Sequence, residues 1–144
     1  METIGLASDH AGFELKAVLI EHLESLGYKT KDYGCFLCES VDYPDFAHAL
    51  ARGLENGECT LGVAMCGSAN GITMTLNKHQ SIRAAICWEP DIASLARQHN
   101  DANVCSIPAR FVSTTKAINI VDAYLSAKFE GGRHQRRVEK IAIG

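Results

Sequence analysis

The sequence predicts an α/β fold in which helices cover both faces of a parallel β-sheet. Short β-prone runs alternate with helix-length amphipathic segments along the 144 residues. The run at 60–65 is apolar on both faces, as a central parallel strand is. No internal repeat, low-complexity run or Pro/Gly-rich linker divides the chain, so we expect one domain over residues 1–144.

The first half of the chain predicts two strands and two helices. In chain order these are a strand at 3–8, a helix at 13–26, a strand at 28–33 and a helix at 43–55. Apolar residues such as Phe13, Leu19 and Leu23 recur at the spacing of one helix face, and Gly27 ends that helix.

The second half continues the alternation and ends in a helical arm. The predicted segments are a strand at 60–65, a tight loop at 66–71 that opens a helix, a strand at 82–87, a helix at 91–99, a strand at 103–107, a helix at 114–128 and a final helix at 133–141. Glu130-Gly131-Gly132 is a flexible joint before the final helix, so we expect that helix to extend as an arm.

Composition and charge exclude several classes of function. The chain has 47% hydrophobic and 22% charged residues, a net charge of -3 and a pI near 6.0. A nucleic-acid or membrane-surface role would therefore need a local basic patch, which only the C-terminal end offers. The N-terminus lacks a signal-peptide pattern, and no run approaches the length of a membrane helix. We therefore expect a cytoplasmic protein.

The chain contains six cysteines, and we expect free thiols. Cysteines in apolar surroundings commonly act as small hydrophobic residues. Four of the six lie in or beside apolar runs: Cys59, Cys66, Cys87 and Cys105. Cys35-x-x-Cys38 has the spacing of a redox or zinc pair, but no second Cys pair or nearby His doublet completes a site, which favours an incidental pair.

Polar side chains follow several of the predicted strands. Ligands of open α/β sheets bind beyond the carboxyl ends of the strands, where Asp9-His10, Trp88-Glu89, Arg110 and the loop at 66–71 lie. Asp9 and His10 suit acid–base chemistry or phosphate contact. The alternative is that Asp9 caps a helix and His10 is solvated.

The loop at 66–71 is the most informative of these segments. Its glycines and the helix that follows can turn successive backbone N–H groups toward an anion. Cys66 opens the loop, and the nearby helix N-terminus favours its thiolate. The alternative is a structural cysteine in a tight turn.

Three familiar loop motifs do not fit this segment. A dinucleotide fingerprint should follow the first strand, whereas Gly67 and Gly71 follow the third. A cysteine phosphatase needs arginine where this chain has Ile72. A P-loop needs lysine, which Gly71-Ile72-Thr73 lacks.

Two polar clusters occupy the second half of the chain. The first runs from Arg97 to Asp101, where His99 is either reactive or a partner of the helix C-terminus. In the second, Arg133 and Arg137 share a helix face and could bind one phosphate together. A solvated basic helix or an RNA-contacting patch is the alternative, although no aromatic residues interleave the arginines.

Taken together, these segments resemble the type B ribose-5-phosphate isomerases, a family that also contains galactose-6-phosphate isomerase. The resemblance runs essentially end to end. It rests on Ser8-Asp9-His10-Ala11-Gly12-Phe13, Asp42-Tyr43-Pro44, Cys66-Gly67-Ser68 to Gly71 with Asn77-Lys78, Arg83-Ala84, Arg97-Gln98-His99-Asn100-Asp101-Ala102-Asn103 and Glu130-Gly131-Gly132-Arg133-His134.

The resemblance implies a flavodoxin-like or Rossmann-like sheet of five parallel strands and no cofactor or metal. It also implies a homodimer whose active sites combine residues of both subunits, with a tetramer as the alternative assembly. The implied reaction interconverts ribose 5-phosphate and ribulose 5-phosphate through a cis-enediolate. The alternatives are isomerisation of a six-carbon sugar phosphate, such as allose or galactose 6-phosphate, and a phosphosugar-binding module without catalysis.

The resemblance also implies a role for each candidate residue. Cys66 resembles the base that moves a proton between C2 and C1, and His99, helped by Asp9, resembles the ring-opening group. Ser68 resembles the hydroxyl that assists transfer between the substrate oxygens. The implied substrate contacts are Tyr43 and Asn100 for the sugar, Gly67, Asn70 and Gly71 in the loop, and His10, Arg110, Arg133, His134 and Arg137 for the phosphate.

Two positions place this chain within the family. Cys66 together with Ile72 matches the version that uses the loop cysteine, whereas the other version has Gly and Glu at these positions. Ala69 departs from the family, which more often has Gly there. Its methyl group lies beside the loop N–H groups, so we expect it to reshape the anion pocket.

Overall fold

The fold comes from a computed structural model that describes residues 2–36 and 41–143. Its elements are β1 (Thr3–Ser8), a turn of 3-10 helix (His10–Gly12), α1 (Phe13–Ser25), β2 (Lys29–Asp32), α2 (Tyr43–Glu55), β3 (Leu61–Cys66), α3 (Asn70–Leu76), β4 (Ala84–Ile86), α4 (Pro90–Asn100), β5 (Val104–Pro108), α5 (Thr114–Ser126) and α6 (Arg133–Glu139). The predicted alternation of strands and helices is confirmed. Cys38 and its proposed pairing with Cys35 lie outside the described residues.

Within the described residues the strands form one parallel sheet of five strands in the order β2-β1-β3-β5-β4. The fold class predicted from the sequence is confirmed. The last two strands are exchanged relative to the 2-1-3-4-5 order of flavodoxin, so β5 lies beside β3 and β4 forms an edge. The chain leaves β1 toward β2 on one side and returns to β3 on the other, which makes the β1–β3 boundary the switch point of the sheet.

Each face of the sheet carries its own hydrophobic core. On one face, α1, α4 and α5 cover alternate residues of the central strands, including Leu6, Met65 and Ile107. On the other face, α2 and α3 cover Ala64 and Cys66, among others. Because side chains alternate along a strand, consecutive residues of β3 supply both cores, and this explains its unbroken apolar sequence.

Local signals account for most of the helix ends. Pro44 and Pro90 lie in the first turns of α2 and α4, where a missing N–H costs nothing. The Ser113 side chain accepts a hydrogen bond from the Lys116 N–H and caps α5. Gly27, at φ 96°, follows α1 in the left-handed conformation that glycine adopts readily.

Two predicted helices end two residues earlier in the structure. The helix predicted at 114–128 ends at Ser126, because Ala127 has an extended backbone with ψ 155°. The arm helix predicted at 133–141 ends at Glu139, where the N–H groups of Lys140 and Ile141 bond three residues back. Among the helices of the described ranges, none is both long and apolar enough to cross a membrane.

Candidate active site

The predicted carboxyl-end residues converge at the switch point of the sheet. The Asp9 N–H donates to the Met65 carbonyl over 3.2 Å, so the residue after β1 lies beside the end of β3, where Cys66 begins the loop. The close packing needs Gly12, because a Cβ there would lie 2.7 Å from the Cβ of Met65. A carboxylate and a thiol therefore share one end of the sheet.

Asp9 caps the short helix that follows β1. Its carboxylate accepts hydrogen bonds from the N–H groups of Ala11 at 2.9 Å and Gly12 at 3.2 Å, which is the capping role left open by the sequence. The alternative of a solvated His10 holds only in part, because the residue is half-buried. The His10 Nδ1 atom is buried and has no hydrogen-bond partner among the described residues, so it is available to a ligand.

The Cys66 thiol is only 5% exposed. Burial raises the pKa of this thiol, and the Asp9 carboxylate raises it further, whereas the N–H groups of Ile72, Ala69 and Ser68 lower it. The net shift is upward. The expectation that the helix N-terminus makes the thiolate the favoured form is thus wrong for the free protein, since loss of hydration outweighs the backbone N–H groups.

The loop after Cys66 exposes polar groups above the end of the sheet. Ser68 and Asn70 are exposed, and the Ser68 hydroxyl accepts a hydrogen bond from the Asn70 N–H at 3.2 Å. Ala69 is buried, with φ 68° in the left-handed region. This backbone conformation explains why glycine is the easier residue at that position.

Two further candidate residues close over the loop. The Tyr43 ring lies against Gly71, where an added Cβ would overlap it. The Arg110 side chain lies over Gly67, with Nη1 3.3 Å from where a Cβ would stand. The Ala109 and Arg110 N–H groups also donate to the carbonyls of Cys66 and Gly67, which holds the Arg110 backbone beside the start of the loop.

We call these carboxyl-end residues the thiol half-site: Asp9, His10, Tyr43, Cys66, Gly67, Ser68, Asn70, Gly71 and Arg110. Glu89 of the neighbouring Trp88-Glu89 pair has a structural role. Glu89 precedes α4 and forms a 2.6 Å ion pair with Lys116.

The remaining candidates gather around the end of α4 and the start of α6. The rings of His99 and His134 stack at a centroid distance of 4.2 Å. Glu130 Oε1 lies 3.7 Å from His99 Nε2 and 3.6 Å from His134 Nε2. Burial lowers the pKa of His134, as do the neighbouring His99 and Arg133. We call His99, Asn100, Arg133, His134 and Arg137 the imidazole half-site.

The sequence reasoning did not single out Glu130 as a side chain in this cluster. Its signal was the spacing of four residues to His134, which places the two side chains together around the glycine joint. Arg97, by contrast, has a structural role: it binds the Asp101 carboxylate at 3.1 Å and the Ala102 carbonyl at 2.8 Å.

The two half-sites lie at opposite ends of the sheet in one chain. Helix α4 starts after the carboxyl end of β4 and ends at Asn100, just before the amino end of β5. Cys66 instead pairs with Pro108 at the carboxyl end of β5. The five residues of β5 between these ends span about 13 Å at 3.3 Å per step. One chain therefore does not bring His99 to Cys66.

The fold and the thiol half-site define an α/β protein that has a buried thiol, a carboxylate and an arginine at the switch point of its sheet. The family model described as Ribose/Galactose Isomerase matches residues 4–141. The chain belongs to the ribose/galactose isomerase family, as its motifs indicated.

Individual relatives agree with this assignment. The chain is 44% identical over 141 residues to ribose-5-phosphate isomerase B of Escherichia coli K12, covering 98% of this chain and 95% of the relative. The crystal structure of a Thermotoga maritima ribose 5-phosphate isomerase superposes with a TM-score of 0.96 at 42% identity, covering 98% and 97% of the two chains. The Mycoplasma genitalium ribose-5-phosphate isomerase B with bound ribulose-5-phosphate gives a TM-score of 0.92 at 42% identity, covering 96% and 93%.

Proposed function

We propose that this protein is an aldose–ketose isomerase that interconverts ribose 5-phosphate and ribulose 5-phosphate. The observation that carries the proposal is the thiol half-site, in which Cys66 lies beside Asp9 and Arg110 lies over the adjacent Gly67. Its support from relatives is the 44% identity to the Escherichia coli isomerase across 98% of the chain. The six-carbon sugar phosphates are less favoured, since the relatives compared above are ribose-5-phosphate isomerases.

The chemistry assigns the proton transfers at carbon to Cys66 and the transfer between the substrate oxygens to Ser68. Once the sugar ring is open, the Cys66 thiolate removes the C2 proton and the electron pair forms the C1–C2 double bond of a cis-enediolate. The Ser68 hydroxyl carries a proton between the two substrate oxygens. The Cys66 thiol then returns its proton to C1, which yields the ketose and restores the thiolate.

Backbone groups of the loop stabilise the intermediate. The N–H groups of Ser68, Ala69 and Ile72 face the Cys66 thiol, and negative charge develops next to it on the enediolate oxygens. Tyr43 closes this position from the side of α2. Fixed dipoles in a site shielded from water are more effective than the same groups in solution.

The phosphate group provides binding energy away from the reacting carbons. On the thiol half-site, Arg110 supplies a guanidinium and His10 an unpartnered buried nitrogen. On the imidazole half-site, Arg133 and Arg137 lie one turn apart on α6, next to His134. Phosphate bound by these groups would hold C2 against the thiol.

We propose that the working unit is a homodimer with shared active sites. The half-sites of one chain are separated by the length of β5, so ring opening at Cys66 requires His99 of the partner subunit, with the partner's Asn100 as a sugar contact. A surface for pairing lies next to the loop. There, Met74 is 67% exposed and lines a groove with Asn70 and Ile86.

We place the reaction in the cytoplasm. The five cysteines of the described residues are all unpaired thiols, which suits a reducing compartment. A phosphorylated pentose as substrate agrees with this location.

A substrate panel tests the reaction. Purified protein is incubated with ribose 5-phosphate and, separately, with allose 6-phosphate and galactose 6-phosphate, and ketose formation is followed. We expect ribose 5-phosphate to be converted and Cys66→Ala to abolish conversion while still binding the sugar. Full activity of Cys66→Ala would contradict the proposed base, and turnover of only a six-carbon sugar would reassign the substrate.

Complementation between two inactive variants tests the shared site. Cys66→Ala and His99→Ala are co-expressed with different tags, and the doubly tagged dimer is purified. If each site combines residues of both chains, the mixed dimer has one intact site and one site with both changes. The purified mixed dimer should then show about half of the wild-type rate, because one of its two sites is intact. Mixed dimers without activity would place His99 and Cys66 of one chain in the same site.

A further inference from the structure

Three ligand-type side chains lie together at the imidazole half-site. One ligand atom each from His99, Glu130 and His134 lies within 4.8 Å of the other two. The distances from Glu130 Oε1 to the two Nε2 atoms, 3.7 and 3.6 Å, exceed hydrogen-bond length. The carboxylate therefore faces both imidazoles without being bonded to either of them.

Two of the three spacings are close to the edges of a metal tetrahedron. Ligands bound to zinc at 2.0–2.1 Å in tetrahedral geometry are separated by about 3.4 Å. The carboxylate-to-imidazole distances are within a few tenths of an ångström of that value. Two histidines and a carboxylate are also a common ligand set of zinc sites that keep a fourth position open.

Backbone contacts hold the three residues in place. The Glu130 N–H donates to the Gln98 carbonyl over 3.0 Å, which ties the joint before α6 to the last turn of α4. His134 lies on α6 itself, and its ring stacks on His99 with an interplanar angle of 9°. The in-plane lone pairs of two parallel rings do not converge, so the imidazoles must rotate out of their stack to bind one ion.

We propose that His99, Glu130 and His134 form a binding site for a divalent transition-metal ion such as zinc or cobalt, and that an ion bound there inhibits the isomerase. The binding of the ion stands on the geometry alone, whereas the inhibition rests on the proposed function, because it assumes that His99 opens the sugar ring. The ion is an inhibitor rather than a cofactor. Arg133 and Arg137 lie nearby and oppose a cation, so we expect moderate rather than tight binding.

A second cluster of the same residue types serves as an internal comparison. His48 Nδ1 lies 2.7 Å from His79 Nε2, and His79 Nδ1 lies 3.2 Å from Glu55 Oε1. These atoms are already paired in hydrogen bonds, and the two nitrogens are too close to share a tetrahedral ion. Geometry, rather than the presence of two histidines and a glutamate, distinguishes the proposed site.

Cobalt titration of the intact protein tests the site directly. Chelator-treated wild type, Glu130→Gln and the matched control His48→Gln are titrated with Co²⁺ in a calorimeter. We expect one ion per chain in the wild type, affinity weakened by about tenfold or more in Glu130→Gln, and no change in His48→Gln. Glu130 is 52% exposed, so the substitution should be tolerated. If that variant fails to fold, His134→Gln carries the same expectation of weakened binding.

Activity measurements separate the two parts of the proposal. Each variant is assayed with and without Co²⁺, relative to its own rate in chelator, and Glu130→Gln should resist inhibition. Equal cobalt affinity in wild type and Glu130→Gln overturns the site. Cobalt binding without loss of turnover overturns the inhibition alone, and cobalt binding by a protein that isomerises no sugar phosphate removes the proposed function while supporting the site.

Discussion

At the scale of single residues, the reactivity of Cys66 depends on groups that shift the pKa of its thiol in opposite directions. Burial and the Asp9 carboxylate raise its pKa, and the loop N–H groups lower it. The thiol form therefore predominates at neutral pH in the free protein. A substrate bound at the loop changes the electrostatic surroundings of the thiol, so the ionisation of Cys66 is coupled to binding.

Removing the charge of Asp9 should lower the pKa of Cys66. Asp9→Asn keeps a side-chain oxygen for the cap but loses the carboxylate that opposes the thiolate. We expect the pH profile of iodoacetamide alkylation at Cys66, followed by peptide mass spectrometry, to move to lower pH in this variant. An unchanged profile would mean that the thiol does not sense the Asp9 charge. Alkylation at Cys59 is the internal control, since Asp9 does not affect its pKa.

Replacing Ala69 with glycine should stabilise the protein. Ala69 has φ 68°, where a side chain is strained and glycine is not. We expect Ala69→Gly to raise the free energy of unfolding by about 0.5 to 1 kcal/mol in urea titrations. Ala47→Gly, in the helical interior of α2, is the matched control and should lower it by about 1 kcal/mol. The same sign for both substitutions would contradict the proposed strain.

At the scale of elements, the contact between α2 and α3 shapes the site. The first residue of α2, Tyr43, rests on Gly71 in the first turn of α3. The Tyr43 ring is 37% exposed and has room to move outward. Gly71→Ala should therefore displace the ring without unfolding the protein and raise KM for ribose 5-phosphate more than it lowers kcat.

A double-mutant cycle checks this cause. If Gly71→Ala acts only by displacing the ring, its effect on KM should largely vanish in a Tyr43→Ala background. Additive effects of the two changes would show that the alanine methyl disturbs the loop itself. Thermal unfolding of each variant verifies that the fold is retained.

Most elements could be predicted because the hydrophobic periodicity agrees with the residues that mark the starts and ends of helices in this sequence. Helix α2 begins and ends at the predicted residues, since Pro44 marks its first turn. Strand β4 is shorter than its apolar run, 82–87, because it lies at the edge of the sheet and the Arg83 N–H bonds to the Asn103 side chain. The hydrophobic pattern of a sequence detects burial. It does not detect a side chain that takes the hydrogen bond a neighbouring strand would otherwise make.

The candidate site could be predicted only in part. Residues after strands were placed together correctly, because parallel strands share a carboxyl edge. The order of β4 and β5 and the contact of Glu130 with His99 depend on tertiary packing. The resemblance assigns His99 and Cys66 to active sites shared between two subunits, and the antiparallel course of α4 does separate the two residues within one chain.

At the scale of the whole molecule, cysteine thiols and tyrosine hydroxyls with raised pKa values link the free energy of unfolding to pH. Burial raises the pKa of Cys59 and Cys66 above the value of about 8.5 that a thiol has in an unfolded chain. Burial also raises the pKa of Tyr33 and Tyr124. The folded state therefore keeps protons that the unfolded state releases in alkaline solution.

The sign of the pH dependence follows from this difference. Above about pH 8.5 the unfolded chain binds fewer protons than the folded one, so the free energy of unfolding falls as pH rises. We expect a urea midpoint that is nearly constant between about pH 7 and 8, and that declines through the range in which thiols and then tyrosines ionise. Cys59→Ala should start from lower stability because it leaves a small cavity, yet decline less steeply with pH because one retained proton is gone. An identical slope in wild type and Cys59→Ala would show that this buried thiol does not contribute to the alkaline loss.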